Sequence, residues 1–282
     1  MKQLIINADD FGLHELINQG IVAGHVSGCV TSTSIMAGGD AFEHAIELAR
    51  QNPDLGIGVH LTLVGARPVA RGDIHSLLTS DGLFFSNYYQ FAKKYICGQI
   101  AKKHIEYELR CQIQKVGGKG ITVTHIDSHQ HLHALPGMAE VISRIASEFN
   151  INKIRIPAES IGFLGAGSLD FRRVMARSVL TVCSLLAKTS FSHEGLHAPQ
   201  HFFGMLNGGA MVQSALLHIL KKLPDGVSEI MVHPGKSTEK LAQLFAWGYS
   251  WQEEMEALQS KEVLDTIQTR NIQLINFSDL RA

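Results

Sequence analysis

The sequence predicts an α/β fold whose mainly parallel sheet curls toward a barrel, and three observations carry that expectation. Short apolar or β-branched runs alternate with stretches of helical period, the pattern of βα units. Titratable residues recur at the C-terminal ends of four runs: Asp9 and Asp10, then His60, then His125 with Asp127, then His233. In parallel α/β folds that edge is where ligands bind. About seven candidate strands can be counted, which favours one barrel-like domain over residues 1–282 rather than a doubly wound open sheet.

Leu4–Ile6 is a short strand that runs into Asn7-Ala8-Asp9-Asp10-Phe11-Gly12. Leu13–His25 reads as a helix with Leu16, Ile17, Gly20, Ile21 and Ala23 on one face. Cys29–Met36 is rich in threonine with Val30 and Ile35, a second strand, and Asp40 is the expected N-cap of a helix that Pro53 stops. Gly56–Leu63 is the third strand. A loop over 65–81 follows, and Phe84, Phe85, Tyr88 and Tyr89 either pack an insertion or stack on a ligand. A helix is expected over Gln99–Lys115, then the strand Ile121–Thr124, then a helix from Pro136 to Phe149. Lys153–Pro157 reads as a strand, Ser168–Lys188 as a helix, Ser190–Phe203 as a loop and Gly208–Leu223 as a helix. Val227–Val232 is a strand entering His233-Pro234-Gly235, Trp247–Arg270 two short helices, and Asn271–Asn276 the last strand.

Composition narrows the class. At 282 residues with 45% hydrophobic and 18% charged, the chain can bury a large core. A formal net charge of -1 without a concentrated basic block argues against nucleic acid as a partner. The four cysteines are dispersed and form no CxxC, which with the absence of a leader-like run suggests free thiols and a cytoplasmic setting. The apolar run Val179–Ala187 is interrupted by Cys183 and Ser184 and reads as too short for stable membrane insertion. A homodimer is left open.

The densest chemistry is Thr124–His133, T-H-I-D-S-H-Q-H-L-H. Imidazole suits divalent metals and titrates near neutrality. His60 and His125, ending two strands, form with one aspartate a two-histidine, one-carboxylate set that leaves positions for water and substrate. An extended segment would put His125, Asp127, His129, His131 and His133 on one face, so the remaining histidines could orient ligands or touch substrate. Adjacent Asp9 and Asp10 can reach one pocket because the chain turns at the strand end. One would hold metal while the other takes a proton from water. His233 is the expected general acid for a departing amine. Together these suggest metal-assisted hydrolysis, and the lack of a Gly-x-Ser-x-Gly elbow disfavours a covalent nucleophile.

Asn7–Gly12, Gly58-Val59-His60-Leu61, His125-Ile126-Asp127-Ser128-His129-Gln130-His131 and His233-Pro234-Gly235 resemble the signatures of the YdjC-like carbohydrate deacetylases, which include chitooligosaccharide deacetylase and the hopanoid-biosynthesis protein HpnK. The resemblance runs from residue 7 to 235 in family order. It implies a modified or incomplete (β/α) TIM-like barrel and removal of an acetyl group from an N-acetylated sugar, aided by one divalent ion, magnesium or zinc. By position it implies Asp10, His60 and His125 as metal ligands, Asp9 as base, His233 as acid and Arg155 as a pocket arginine; His129 and His131 are expected substrate contacts. Gly65–Val69, Phe84-Phe85 and Gly204–Gly209 look most like the HpnK subgroup, whereas Asp127-Ser128-His129 keeps the general family form. Two rivals are a carbohydrate-binding or regulatory protein that retains the metal site without catalysis, and a different metal hydrolase on the same fold. Binding alone needs neither Asp9 nor His233, and adjacent carboxylates suit a glycosidase poorly.

Overall fold

The computed structural model describes residues 1–163, 165 and 171–281. The strands are β1 (Lys2–Phe11), β2 (Ser32–Ile35), β3 (Gly56–Leu61), β4 (Val123–Ser128), β5 (His201–Phe203), β6 (Gly226–Val232) and β7 (Gln273–Leu274). They form a curled, open parallel sheet in the order β4-β3-β2-β1-β6-β5, with β7 beside the start of β1. The open side is crossed by the segment 153–159, which bridges β4 through Ile126–Ile154 and β5 through Glu159–Phe202. This is an incomplete barrel, and it explains why Lys153–Pro157, expected as a strand, makes only isolated bridges. β1, β2 and β3 are buried on both faces, as strands inside parallel sheets are, although β2 is Ser-Thr-Ser-Ile rather than an apolar run.

The helices are α1 (Glu15–Val26), α2 (Phe42–Gln51), α3 (Tyr88–Ile96), α4 (Lys102–Gly117), α5 (Met138–Glu148), α6 (Phe171–His193), α7 (Gln213–Lys222), α8 (Thr238–Leu244), α9 (Trp251–Leu258) and α10 (Lys261–Thr269). α2 shows why amphipathic spacing works here: Phe42, Ala45, Ile46 and Ala49 form the buried stripe. The cap of α2 differs from expectation. Ala41 stands at the cap and Asp40 pairs with Arg67 at 3.2 Å instead. α3 was not expected, because only Phe91 of its residues is buried and the apolar signal is correspondingly weak. Phe84 and Phe85 pack in the core, which removes them from ligand contact. Residues 166–170, where α6 was expected to begin, lie outside the described residues.

Packing of α1 fixes the late loop of the site. A methyl group on Gly20 would lie 2.4 Å from the Gly235 backbone, so glycine at 20 lets α1 meet the loop after β6, while one on Gly235 would press on Leu241 and Trp251. That contact holds His233 at the C-terminal edge of the sheet, with Asp9 and Asp10 on the neighbouring strand.

Candidate metal centre and active site

β1 delivers two carboxylates because its end is irregular. Pairing with β2 slips between Ala8 and Phe11, and Asp10 takes a left-handed φ of 68°. Aspartate tolerates that region better than most residues, and a non-glycine residue there marks local strain. Asn18 accepts the Gly12 N–H at 2.6 Å and secures the turn. Both Asp9 and Asp10 are thereby buried at the edge of the sheet.

His60, at the end of β3, is held from behind. Its Nδ1 meets Asp127 Oδ1 at 2.8 Å, which leaves Nε2 directed at Asp10 Oδ1, 3.5 Å away. A carboxylate behind an imidazole sets its tautomer and raises its basicity. Burial pulls the His60 imidazole down, but Asp127, Asp9 and Asp10 outweigh it and raise its pKa to about 9. The same negative field favours a bound cation. Burial pushes the Asp10 carboxyl up, while His129, His60 and His233 together hold it well below the usual carboxylate range.

The third imidazole is His129. Its Nδ1 lies 3.0 Å from Asp10 Oδ1, and its ring packs edge-on to His60. Asp10, His60 and His129 thus present one ligand atom each within 4.8 Å of one another. Ligands of an ion bound at about 2.1 Å are separated by roughly 3.0–3.4 Å, close to the observed 3.0 and 3.5 Å. Asp10 Oδ1 is buried without a hydrogen-bond partner, as an atom awaiting a ligand would be. The residues therefore fit a divalent ion. Two imidazoles with one carboxylate suit zinc and similar borderline ions better than magnesium, which prefers oxygen.

His125 is not part of this group, contrary to the ligand set taken from the sequence. It stacks on Phe277 at 3.7 Å, and its nitrogens meet Ser34 at 3.2 Å and Thr124 at 2.9 Å. Burial drives its pKa down to about 3, with Arg155 adding to the effect. Gly58 lies against the ring so closely that a methyl group there would overlap it. The reason for the difference is the end of β4. The strand stops at Ser128, and a 3-10 turn over His129–Ala134 follows with Gln130 and His131 left-handed, so the shared face predicted for an extended segment does not form. His133 is spent on Ser128 and the Arg155 carbonyl. His131, expected at the substrate, packs edge-on to His133 and Phe202.

Arg155 is wholly buried, and its donors go to carboxylates rather than to a ligand. Nη1 and Nη2 grip Asp9 at 2.6 and 2.7 Å, Nη1 also meets Asp127 at 2.7 Å, and Nε donates to Glu229 at 2.7 Å. The pocket-arginine expectation is thus replaced by a positioning role for Asp9. Asn7 donates to the same carboxylate at 2.9 Å and to Ser34, which donates to Asp127.

One guanidinium facing three carboxylates leaves the third short of positive charge. Burial, reinforced by Asp127 and Asp9 and opposed by Arg155, raises Glu229 from 4.5 to about 7, and its Oε2 has no partner. The folded protein therefore holds a proton that the unfolded chain releases. This contribution to stability is complete below pH 4.5 and is lost as pH rises through about 7. Glu229→Gln is expected to flatten the dependence of Tm on pH between about 5 and 8, and to raise Tm relative to wild type at the upper end. Thermal unfolding across that range checks it; an unchanged slope removes Glu229 as its source.

The His233 backbone N–H donates to Glu254 at 2.6 Å, and Glu254 also accepts from Met211. The imidazole packs against Tyr249 at 4.9 Å, and its Nδ1 is buried without a partner. Trp247 lies 5.6 Å from His129 and 5.5 Å from Tyr249, giving the site an aromatic wall. The sequence reading overlooked Trp247, Tyr249 and Glu254. The first two were visible as an alternation Phe245-x-Trp247-x-Tyr249-x-Trp251, masked by reading a helix from Trp247, whereas α9 starts at Trp251.

The YdjC-like protein family matches residues 3–269. A carbohydrate deacetylase of Clostridium beijerinckii is 33% identical over 278 residues, 99% of this chain and 100% of that protein. A carbohydrate deacetylase of Mus musculus is 33% identical over 83% of this chain and 78% of its own. Among solved structures, an Enterococcus faecalis protein proposed to act in cellobiose-phosphate cleavage superposes with a TM-score of 0.77 at 27% identity, covering 100% of this chain and 99% of that one. With the signatures Asn7–Gly12 and His125–His131 on the folded site, the match over nearly the whole chain places this protein in the YdjC-like family.

Proposed function

We propose that the protein is a metal-dependent N-deacetylase of acetylated amino sugars. The observation that carries the reading is the company kept by the Asp10–His60–His129 group: a tethered carboxylate, Asp9, and an imidazole with a free nitrogen, His233. A bound divalent ion supplies a Lewis acid for the acetamide carbonyl and lowers the pKa of water. Asp9 Oδ2 accepts one hydrogen bond from Arg155, retains a free lone pair and takes the proton of the attacking water. His233 delivers a proton to the departing amine. Trp247 and Tyr249 offer apolar ring faces against which a sugar can lie. Asp127 keeps His60 in its ligating tautomer.

N-acetylglucosamine-containing oligosaccharides are the first substrate class. Support comes from relatives called carbohydrate deacetylases over the full length of this chain. The loop sequences Gly65–Val69 and Gly204–Gly209 add a lipid-borne, hopanoid-linked amino sugar as a second, with a cytoplasmic enzyme in either case. Acetate release from a panel of N-acetylglucosamine compounds, soluble and lipid-linked, tests the reading. Asp9→Asn is expected to lower kcat by about 10²–10⁴ while the ion stays bound. Full activity in that variant, or no acetate from any acetylated sugar with metal loaded, would overturn it.

A further inference from the structure

A second group of metal-ligand type is made by residues outside the site at Asp10. Asp73 and His75 belong to the loop between β3 and α3, and His104 to the first turn of α4. Each offers one ligand atom within 4.8 Å of the others, and the two imidazoles meet edge-on with centroids 4.8 Å apart. Part of the arrangement is local turn chemistry. Asp73 Oδ1 accepts the His75 backbone N–H at 3.2 Å, at the start of a 3-10 turn over His75–Leu77, and meets His75 Nδ1 at 2.7 Å. An exposed pair of this kind is ordinary surface structure. His104 adds what a surface turn does not. Its side chain is only 4% exposed, yet its Nε2 has no hydrogen-bond partner, and Asp73 Oδ2 is 3.8 Å from it, too far to serve as one. A buried nitrogen left without a bond costs stability unless a ligand takes its lone pair.

The other ring nitrogen of His104 is committed. Nδ1 lies 2.8 Å from Ser76 Oγ, and that oxygen also accepts the Ala101 N–H at 3.0 Å. Ser76 can accept from both with its two lone pairs, which puts the His104 proton on Nδ1 and leaves Nε2 free to ligate. The His75 side chain is 78% exposed, so its proton can sit on Nε2 in water and free Nδ1 for an ion. The observed 2.7 and 3.8 Å bracket the roughly 3.0–3.4 Å between ligands of an ion bound at about 2.1 Å, and the exposed Asp73 can make the adjustment. Two imidazoles and a carboxylate select zinc or a similar borderline ion over magnesium or calcium.

We propose that Asp73, His75 and His104 bind a second divalent ion, of zinc type, which fastens the β3–α3 loop to α4. Three protein ligands leave a position for water, and two of the three are exposed. The ion therefore exchanges, and it leaves on dialysis against metal-free buffer. The loop already has one tether to the helix, the Val69 and Ala70 N–H groups on Glu108 at 2.9 and 2.8 Å. Its first residue reaches the other centre, since a methyl group on Gly65 would lie 3.6 Å from His129 Nε2. The second ion thus steadies a loop that touches the candidate catalytic centre without supplying a ligand to it.

The test is equilibrium dialysis of the chelator-stripped full chain against low-micromolar zinc, with bound metal counted and thermal melts recorded in parallel. Wild type is expected to hold one more zinc per chain than His75→Ala or Asp73→Asn, and zinc is expected to raise its Tm further than theirs. Asparagine keeps the turn and position 75 is exposed, so both variants are expected to fold. His104→Ala is expected to raise the zinc concentration for half-occupancy of this ion by at least about tenfold. The count is a difference between variants, so it holds whether or not an ion binds at Asp10. A single zinc in wild type that His75→Ala removes would support this site and count against the centre at Asp10. Equal zinc counts in wild type, His75→Ala and Asp73→Asn would overturn the inference, as would equal uptake of magnesium at these residues.

Discussion

Replacing His129 by alanine is expected to strip the protein of its divalent ion, whereas replacing His125 is expected to leave the ion and weaken the fold. His129 Nδ1 lies 3.0 Å from Asp10, so its loss leaves only Asp10 and His60 of the group to hold a metal. Removing even an outer partner of a ligand costs about 10–100-fold in affinity, and removing a ligand costs more. His125 does different work. Its ring fills the space between Gly58 and Phe277 and engages Ser34, which in turn donates to Asp127. Alanine there opens a cavity and frees Ser34, a loss of about 2–4 kcal/mol by analogy with other large-to-small core changes. Metal analysis after dialysis, paired with thermal melts, separates the two. An ion retained in His129→Ala and lost in His125→Ala would return the ligand role to His125.

That contrast also shows how far the sequence was legible. Six of the seven strands, their direction and the edge bearing the chemistry followed from local pattern, because β1, β3, β4 and β6 each carry Asp or His at or just past their C-terminal ends; β5 did not, since His201–Phe203 lies in a stretch that reads as a loop. The choice among the histidines of Thr124–His133 did not. It depends on where β4 stops and on the left-handed turn at Gln130 and His131, a conformation that these residue types do not announce. Arg155 poses the same difficulty at longer range. Its partners Asp9, Asp127 and Glu229 come from three strands, and only the curl of the sheet brings them within reach of one guanidinium. Glu229 was the available signal, a lone carboxylate within the run Val227–Val232 that has to find a buried cation. Glu254 gave none, since a glutamate in a polar helix is ordinarily solvated.

Arg155→Lys is expected to lower kcat by about 10²-fold while leaving metal content and KM near wild type. The guanidinium meets Asp9 with two nitrogens and reaches Asp127 and Glu229 with the same planar fork. Lysine supplies the charge as a single point and cannot make those contacts together. The fold keeps a cation among the carboxylates, but Asp9 loses the bidentate grip that aims its free lone pair. Arg155→Met tests the other half of the role. It leaves three carboxylates buried with no cation at their centre, and breaking a buried pair in this way costs about 3–5 kcal/mol, a large share of the stability of most domains. The methionine variant is therefore expected to melt far earlier than the lysine variant, although both remove the same contacts to Asp9. Equal stability of the two would mean that the charge of Arg155 is dispensable to the fold. Unchanged kcat in Arg155→Lys would mean that the orientation of Asp9 does not limit the reaction, and a rise in KM alone would place Arg155 at the substrate, as its position near the strand end first suggested.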